Sequence, residues 1–191
     1  MKATAVVLAA GEARRMGKQK LLLEVGGVPI LGRVLAACEH LPTVVVGAPS
    51  LRAFVEERGA RFIANIVPEW GMAHSLALGD AKTDADSPLL VLLGDKPLVT
   101  RALVERVLAE ATGADICFPQ HEGVGGHPVY LSVRARKRIA RLPRGDSIHL
   151  LRDDPTLQQR VLEIAEIGAY TDVDDFEALE RLRARAGFES P

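Results

Sequence analysis

The chain has 191 residues, a length that favours one domain with at most a small subdomain. Hydrophobic residues make up 48% and charged residues 26%, as in a globular protein with a sizeable core. With 24 basic and 25 acidic side chains the net charge is −1, which excludes a broad electrostatic footprint for nucleic acid or an anionic membrane, so any polyanion must be handled locally.

Short apolar runs alternate with amphipathic segments along most of the chain. Ala3 to Ala10 reads as a buried strand, and Pro29 opens a helix with Ile30, Leu31, Val34, Leu35 and Cys38 on one stripe. Thr43 to Ala48 is a second strand. Ser50 is the expected N-cap of a helix through Arg58 that Gly59 stops. Arg61 to Ile66 and Leu89 to Leu93 are further strands. Thr100 caps a helix carrying Leu103, Val104, Val107, Leu108 and Ala111, and Gly113 ends it. Ala114 to Pro119, His127 to Leu131 and Val161 to Ile167 complete the strands, and a charged helix runs from Asp175 to about Ala186. This alternation predicts right-handed crossovers and an α/β fold, a mainly parallel sheet with helices on both faces. Residues 117–151, richer in Gly, Pro and His, read as acceptor-binding insertions on the same sheet, so 1–191 is expected to be one domain.

Glu12, Arg14 and Arg15 arrive too soon for the first apolar run to be a signal-peptide core. Runs such as Pro88 to Leu93 are far shorter than the roughly 20 residues of a membrane span. The two cysteines, Cys38 and Cys117, sit in apolar stretches and read as buried reduced thiols. Together these features predict a cytoplasmic protein with neither membrane nor nucleic-acid partners.

The most informative segment is Leu8-Ala9-Ala10-Gly11-Glu12-Ala13-Arg14-Arg15-Met16-Gly17-Lys18-Gln19-Lys20. It follows a buried strand and so belongs at the carboxyl end of the sheet, where open α/β folds bind ligands. Ala9, Ala10 and Gly11 let the backbone approach a nucleotide, Gly11 and Gly17 permit N–H groups to converge on one anion, and Arg15 and Lys20 add cations. Five residues separate Gly11 from Gly17, and Gln19 follows Lys18, so this is not a Walker A loop. The dinucleotide fingerprint is absent as well, which disfavours an NAD(P)-dependent oxidoreductase. Gly94-Asp95 directly follows an apolar run and places a carboxylate at the same sheet edge, where it suits Mg²⁺. Asp172-Val173-Asp174-Asp175 precedes the last helix; one of Asp172 and Asp174 is expected at the site, and Asp175 is a helix N-terminal charge.

Leu-Ala-Ala-Gly-x-x-x-Arg-Met-Gly-x-x-Lys-x-Leu-Leu, fulfilled from Leu8 onward, resembles the signature loop of the GT-A-like nucleotidyltransferases, in the branch containing the molybdenum cofactor cytidylyl- and guanylyltransferases. Three further motifs keep the family's order: Asn65 to Leu76 (Asn-x₅-Gly-Met-x-x-Ser-Leu), Gly94-Asp95-x-Pro97-Leu98, and Gly126-His127-Pro128-Val129. The resemblance implies a three-layer α/β/α Rossmann-like fold of the nucleotide-diphospho-sugar transferase type. It implies nucleotide contacts from Leu8, Ala9, Ala10, Gly11, Arg15, Lys20, Gly71 and Ser75. Arg15, Lys20 and Asp95 would be catalytic, with Mg²⁺ on Asp95 and Asp174 and the acceptor near His127. The implied reaction moves a nucleoside monophosphate from an NTP to a phosphorylated acceptor. CTP is favoured because the guanylyl branch usually has Gly where this chain has Ala10. The implied acceptor is a molybdopterin-type cofactor, with handover to a molybdoenzyme or its chaperone. The chain departs from the pattern at Ala13, at His74, and at Ile148, which replaces a glycine after Gly145-Asp146, while Leu150-Leu151 comes two residues early. These departures leave a sugar or polyol phosphate open as acceptor. A catalytically silent cofactor-binding protein on the same fold is the rival that Arg15, Lys20 and Asp95 argue against.

Overall fold

The apolar runs form one eight-stranded sheet between two helical layers in the computed structural model, which describes residues 3–11, 19–145, 148–173 and 176–185. The first strand, β1 (Thr4–Ala9), is buried at every position, as a strand covered on both faces must be. Its side chains alternate between two cores: Ala5, Val7 and Ala9 face one and Val6 and Leu8 the other. A hairpin that the sequence did not announce follows, β2 (Glu24–Val25) and β3 (Val28–Pro29). It turns at Gly26 and Gly27, with φ of 57° and 70°, the torsions a two-residue hairpin demands. Helix α1 (Ile30–Cys38) buries the predicted stripe in the first core. Next come β4 (Thr43–Gly47), α2 (Arg52–Glu56), β5 (Arg61–Ala64), α3 (Gly71–Asp80), β6 (Leu89–Leu93) and α4 (Arg101–Glu110). Thr100 caps α4 as expected, its hydroxyl accepting the Leu103 N–H at 3.1 Å. The remaining elements are β7 (Ile116–His121), β8 (Val124–Gly125), β9 (Val129–Leu131), α5 (Val133–Arg136), α6 (His149–Arg152), β10 (Gln159–Glu163) and α7 (Phe176–Arg185).

The strand order is β10-β7-β9-β6-β1-β4-β5, with β8 pairing β7. Strands β5, β4, β1 and β6 run parallel, as do β7 and β10, while β9 lies antiparallel between β6 and β7. Helices α1, α4 and α7 cover one face and α3 and α5 the other. This is the three-layer, mainly parallel GT-A-like architecture that the resemblance implied. Among the described residues no helix is long and apolar enough to cross a membrane. Cys38 and Cys117 are buried free thiols, and burial pushes both up to about 11.

One expected cap is corrected. Ser50 lies inside a 3-10 turn opened by Pro49, and α2 starts two residues later with no side-chain cap. The Ser50 hydroxyl instead accepts from Gln19 Nε2 at 3.3 Å. Several strands are shorter or shifted: the expected late strand from Val161 to Ile167 is realised as β10 (Gln159–Glu163), with Ile167 in a 3-10 turn.

The loop that brings the chain back into β6 is held by Arg136, which is 5% exposed. Its Nε donates to Asp80 Oδ1 at 2.8 Å, Nη2 to Thr83 Oγ1 at 2.8 Å and Nη1 to the carbonyls of Asp84 and Ser87. Removing a buried cation leaves Asp80 and these carbonyls without their donor, a change that typically costs about 3 kcal/mol. Arg136→Met is therefore expected to lower the unfolding free energy by about that amount in urea. A change below about 0.5 kcal/mol, the size of an ordinary surface substitution, would show that the guanidinium is dispensable.

Candidate active site

The site follows from the pairing of β1 with β6. Their register sets Leu8 beside Leu93, so the segments after each strand leave the sheet side by side at its carboxyl edge. Gly94 N–H donates to the Leu8 carbonyl at 2.9 Å. A Cβ on Gly94 would lie only 3.2 Å from Ala9 Cβ and 3.3 Å from Leu8 O, so the absence of a side chain permits the two segments to approach. A cavity of about 430 Å³ opens there, and Leu8, Ala10, Gly11, Gly71, Ser75 and Asp95 all line it. Ala9 points into the opposite core and contributes to this edge through its small size and its backbone. Arg15 and Asp174 lie outside the described residues.

Lys20 and Asp95, 75 residues apart, meet at the cavity's rim. Lys20 is 8% exposed; its Nζ is 3.1 Å from Asp95 Oδ2 and donates to the Val173 carbonyl at 2.8 Å. Val173 N–H in turn donates to the Asp95 carbonyl at 3.1 Å. The first loop, the end of β6 and the segment before α7 are thereby fastened at one point. Asp172 is engaged by a second lysine, Lys96, with Nζ 2.5 Å from Oδ1. Lys96 is 4% exposed and was not singled out from the sequence. Its only signal there is a charge at the end of an apolar run, because its partner lies 76 positions downstream.

The wall around Gly71 and Ser75 is built by Asn65, 2% exposed just after β5. Its Oδ1 accepts the Val67 N–H at 2.9 Å and its Nδ2 donates to Ser75 Oγ at 3.0 Å, which ties the loop to α3. Asn65 belongs to the motif around Gly71 and Ser75, yet its positioning of that loop could not be read without the fold.

His127 stands at the same edge, where β9 begins, and is 7% exposed behind a cis bond to Pro128. Its Nδ1 lies 3.3 Å from the Val91 carbonyl oxygen, which can only accept, so the Nδ1–H tautomer makes the bond. Burial, helped by the nearby positive charges of Arg152 and Lys96, pushes its pKa down to about 3. The imidazole is therefore a neutral, internally bonded group at neutral pH.

Asp95 is the group available to a divalent cation: a hard oxygen donor, 26% exposed by its side chain, at the cavity wall. The ammonium of Lys20 already sits against it, which marks the position as one that favours positive charge. Among the described residues no group of three or more His, Cys, Asp or Glu could hold a metal. Asp95 would therefore be one ligand among several, the others lying outside these described residues or coming from water and phosphate oxygens, which Mg²⁺ commonly takes.

Residues 5–160 match the MobA-like NTP transferase domain. The chain is 34% identical over 176 residues to the bifunctional protein GlmU of Rhizorhabdus wittichii, covering 86% of this chain and 37% of that protein. It is 30% identical over 128 residues to a probable molybdenum cofactor guanylyltransferase of Pelotomaculum thermopropionicum, covering 63% of this chain and 58% of the relative. The chain thus spans less than two thirds of either relative's length. It superposes on the manganese complex of Rv0371C from Mycobacterium tuberculosis with a TM-score of 0.79 at 20% identity, over 97% of this chain and 100% of the other.

The buried His127 makes stability depend on pH. Its folded pKa of about 3 lies below the ordinary 6.5, so between these values the unfolded chain binds a proton that the folded chain does not. Its contribution is complete above pH 6.5 and is lost as pH falls toward 3, at a limiting slope of roughly 1.4 kcal/mol per pH unit. Urea unfolding at pH 7 and pH 5 should show His127→Asn losing less stability on acidification than the wild-type chain. Equal losses in the two proteins would mean that the buried imidazole titrates normally.

Proposed function

The chain belongs to the MobA-like NTP transferase family, and from that premise we propose that it is a nucleotidyltransferase that moves a nucleoside monophosphate from an NTP, with CTP favoured, to a phosphorylated acceptor of the molybdopterin type. One observation carries the reading: six residues named from the sequence converge on one cavity at the rim where Lys20 meets Asp95. Ala10 lines the cavity, and it supports CTP because the guanylyl branch usually has Gly at this position. The guanylyltransferase relative supports GTP as the second reading.

The proposed reaction is in-line attack by an acceptor phosphate oxygen on the α-phosphorus. A new phosphoanhydride bond forms, the bond from the α-phosphorus to the bridging oxygen breaks, and pyrophosphate leaves with that electron pair. The backbone at Ala9, Ala10 and Gly11 approaches the triphosphate, and Gly71 and Ser75 face the base. Arg15 and Lys20 neutralise charge that develops on the α-phosphate and the leaving pyrophosphate, where fixed positive groups have most effect. Bound Mg²⁺ would supply Lewis-acid charge neutralisation, with Asp95 and Asp174 as its protein ligands. His127 lies on the acceptor side and, being neutral and internally bonded, shapes that side without serving as a proton carrier. Residues 1–191 act as one cytoplasmic unit that hands its product to a molybdoenzyme or its chaperone.

Pyrophosphate release tests this. Wild-type protein with Mg²⁺, each NTP and molybdopterin-type or sugar-phosphate acceptors should release pyrophosphate fastest with CTP and the molybdopterin acceptor. Asp95→Asn should lower turnover by about a hundredfold or more while keeping the circular-dichroism spectrum, since an amide holds Mg²⁺ poorly. Near-full activity of that variant at limiting Mg²⁺ would remove Asp95 from the site. A GTP-only product would overturn the CTP assignment alone.

A further inference from the structure

Four residues join the base-side loop to the segment leading into α6. The Gly145 N–H donates to the Trp70 carbonyl at 2.9 Å. The Arg144 guanidinium lies 3.8 Å above the Trp70 ring, whose edge meets His74 with the ring centroids 4.8 Å apart. Gly71 and Gly145 face each other so closely that a Cβ on Gly71 would lie 2.8 Å from Gly145 Cα. Both have positive φ, 84° and 86°, so glycine is required at Gly71 by contact and at Gly145 by torsion.

One side of this junction is a wall of the nucleotide cavity, because Pro68, Glu69, Gly71 and Met72 line it. The other side leads through Ile148, 1% exposed, into α6 and Arg152. Arg152 stacks on Phe118 at 4.3 Å and donates from Nη2 to the Gly126 carbonyl at 2.8 Å, immediately before His127. Contacts therefore fasten both ends of this segment, Gly145 to the base wall and Arg152 to the acceptor side. Arg144 itself is exposed and does not line the cavity.

We infer that Arg144 is a positioning residue and that the Trp70–Gly71/Arg144–Gly145 clasp couples nucleotide binding to placement of the acceptor-side segment, so that a filled nucleotide cavity holds this segment in place for the second substrate. The inference rests on the nucleotide reading above. Coupling of this kind is reciprocal: whatever nucleotide does to the docking of the segment, docking does to nucleotide affinity. Loss of an exposed cation–π contact corresponds to about a two- to fivefold weaker nucleotide.

Trp70 is the sole tryptophan of the chain, so its emission reports the junction directly. CTP, GTP, UTP and ATP would each be titrated with Mg²⁺ into wild-type, Arg144→Ala and Arg144→Lys proteins, following Trp70 emission and exchange of the Gly145 amide by NMR. The expected result is slower Gly145 exchange on nucleotide binding in the wild type. Arg144→Ala should bind about two- to fivefold more weakly with that slowing reduced, and Arg144→Lys should restore part of both, since it keeps a cation over the ring. Nucleotide binding that leaves Gly145 exchange unchanged in the wild type overturns the coupling while leaving the nucleotide site standing. Wild-type affinity and protection in Arg144→Ala would overturn the role of Arg144. No binding of any nucleotide would overturn the underlying reading instead.

Discussion

A buried lysine must be paired, and in this protein the pairing of Lys20 organises the site. Taking an ammonium out of water is costly unless a carboxylate and further acceptors surround it. Asp95 and the Val173 carbonyl supply that environment, from two segments far away in the chain. Because Val173 N–H bonds back to the Asp95 carbonyl, the three segments form a closed set in which displacing one disturbs the other two. The result is a rim where a cation and a carboxylate are held ready beside a cavity whose lining includes Ala10, Gly11, Gly71 and Ser75.

The sheet explains why this junction lies where it does. Each central strand is covered on both faces, which leaves the strand ends as the places where polar groups can gather at modest desolvation cost. Gly94 brings the end of β6 against the end of β1, and Gly71 brings the loop before α3 against Gly145. Both close approaches depend on a missing Cβ. Lys96 repeats the logic of Lys20 one residue beyond Asp95: a buried ammonium engages Asp172 and steadies the segment before α7 a second time.

Much of this was legible in the sequence because it is local. Strand runs such as Leu89 to Leu93 declare themselves by burial on both faces, and a glycine or aspartate directly after such a run is placed at the sheet edge by connectivity alone. Gly11 and Asp95 were found that way, and the Gly71–Ser75 motif by the family resemblance. What remained hidden depends on distance or on very short elements. Two-residue strands carry no periodicity, so the hairpin around Gly26 and Gly27 went unseen. Three residues of β9 cannot reveal that it runs antiparallel between β6 and β7. Ser50 looked like a cap because its residue type suits one, but Pro49 started the turn earlier and moved Ser50 inside it. The partners of Lys96 and the bridging role of Asn65 exist only once the chain has folded.

The central claim is that the cavity beside Lys20 and Asp95 holds the triphosphate of a nucleotide together with a divalent cation. A crystal structure of the chain with a non-hydrolysable CTP analogue and Mn²⁺, using the anomalous signal of manganese, tests it most directly. The account predicts a manganese peak bridging Asp95 and the phosphates, with the triphosphate over Gly11 and the base against Gly71 and Ser75. Manganese away from Asp95, or nucleotide in the cleft between α1 and the Arg58–Ala60 turn, would contradict it.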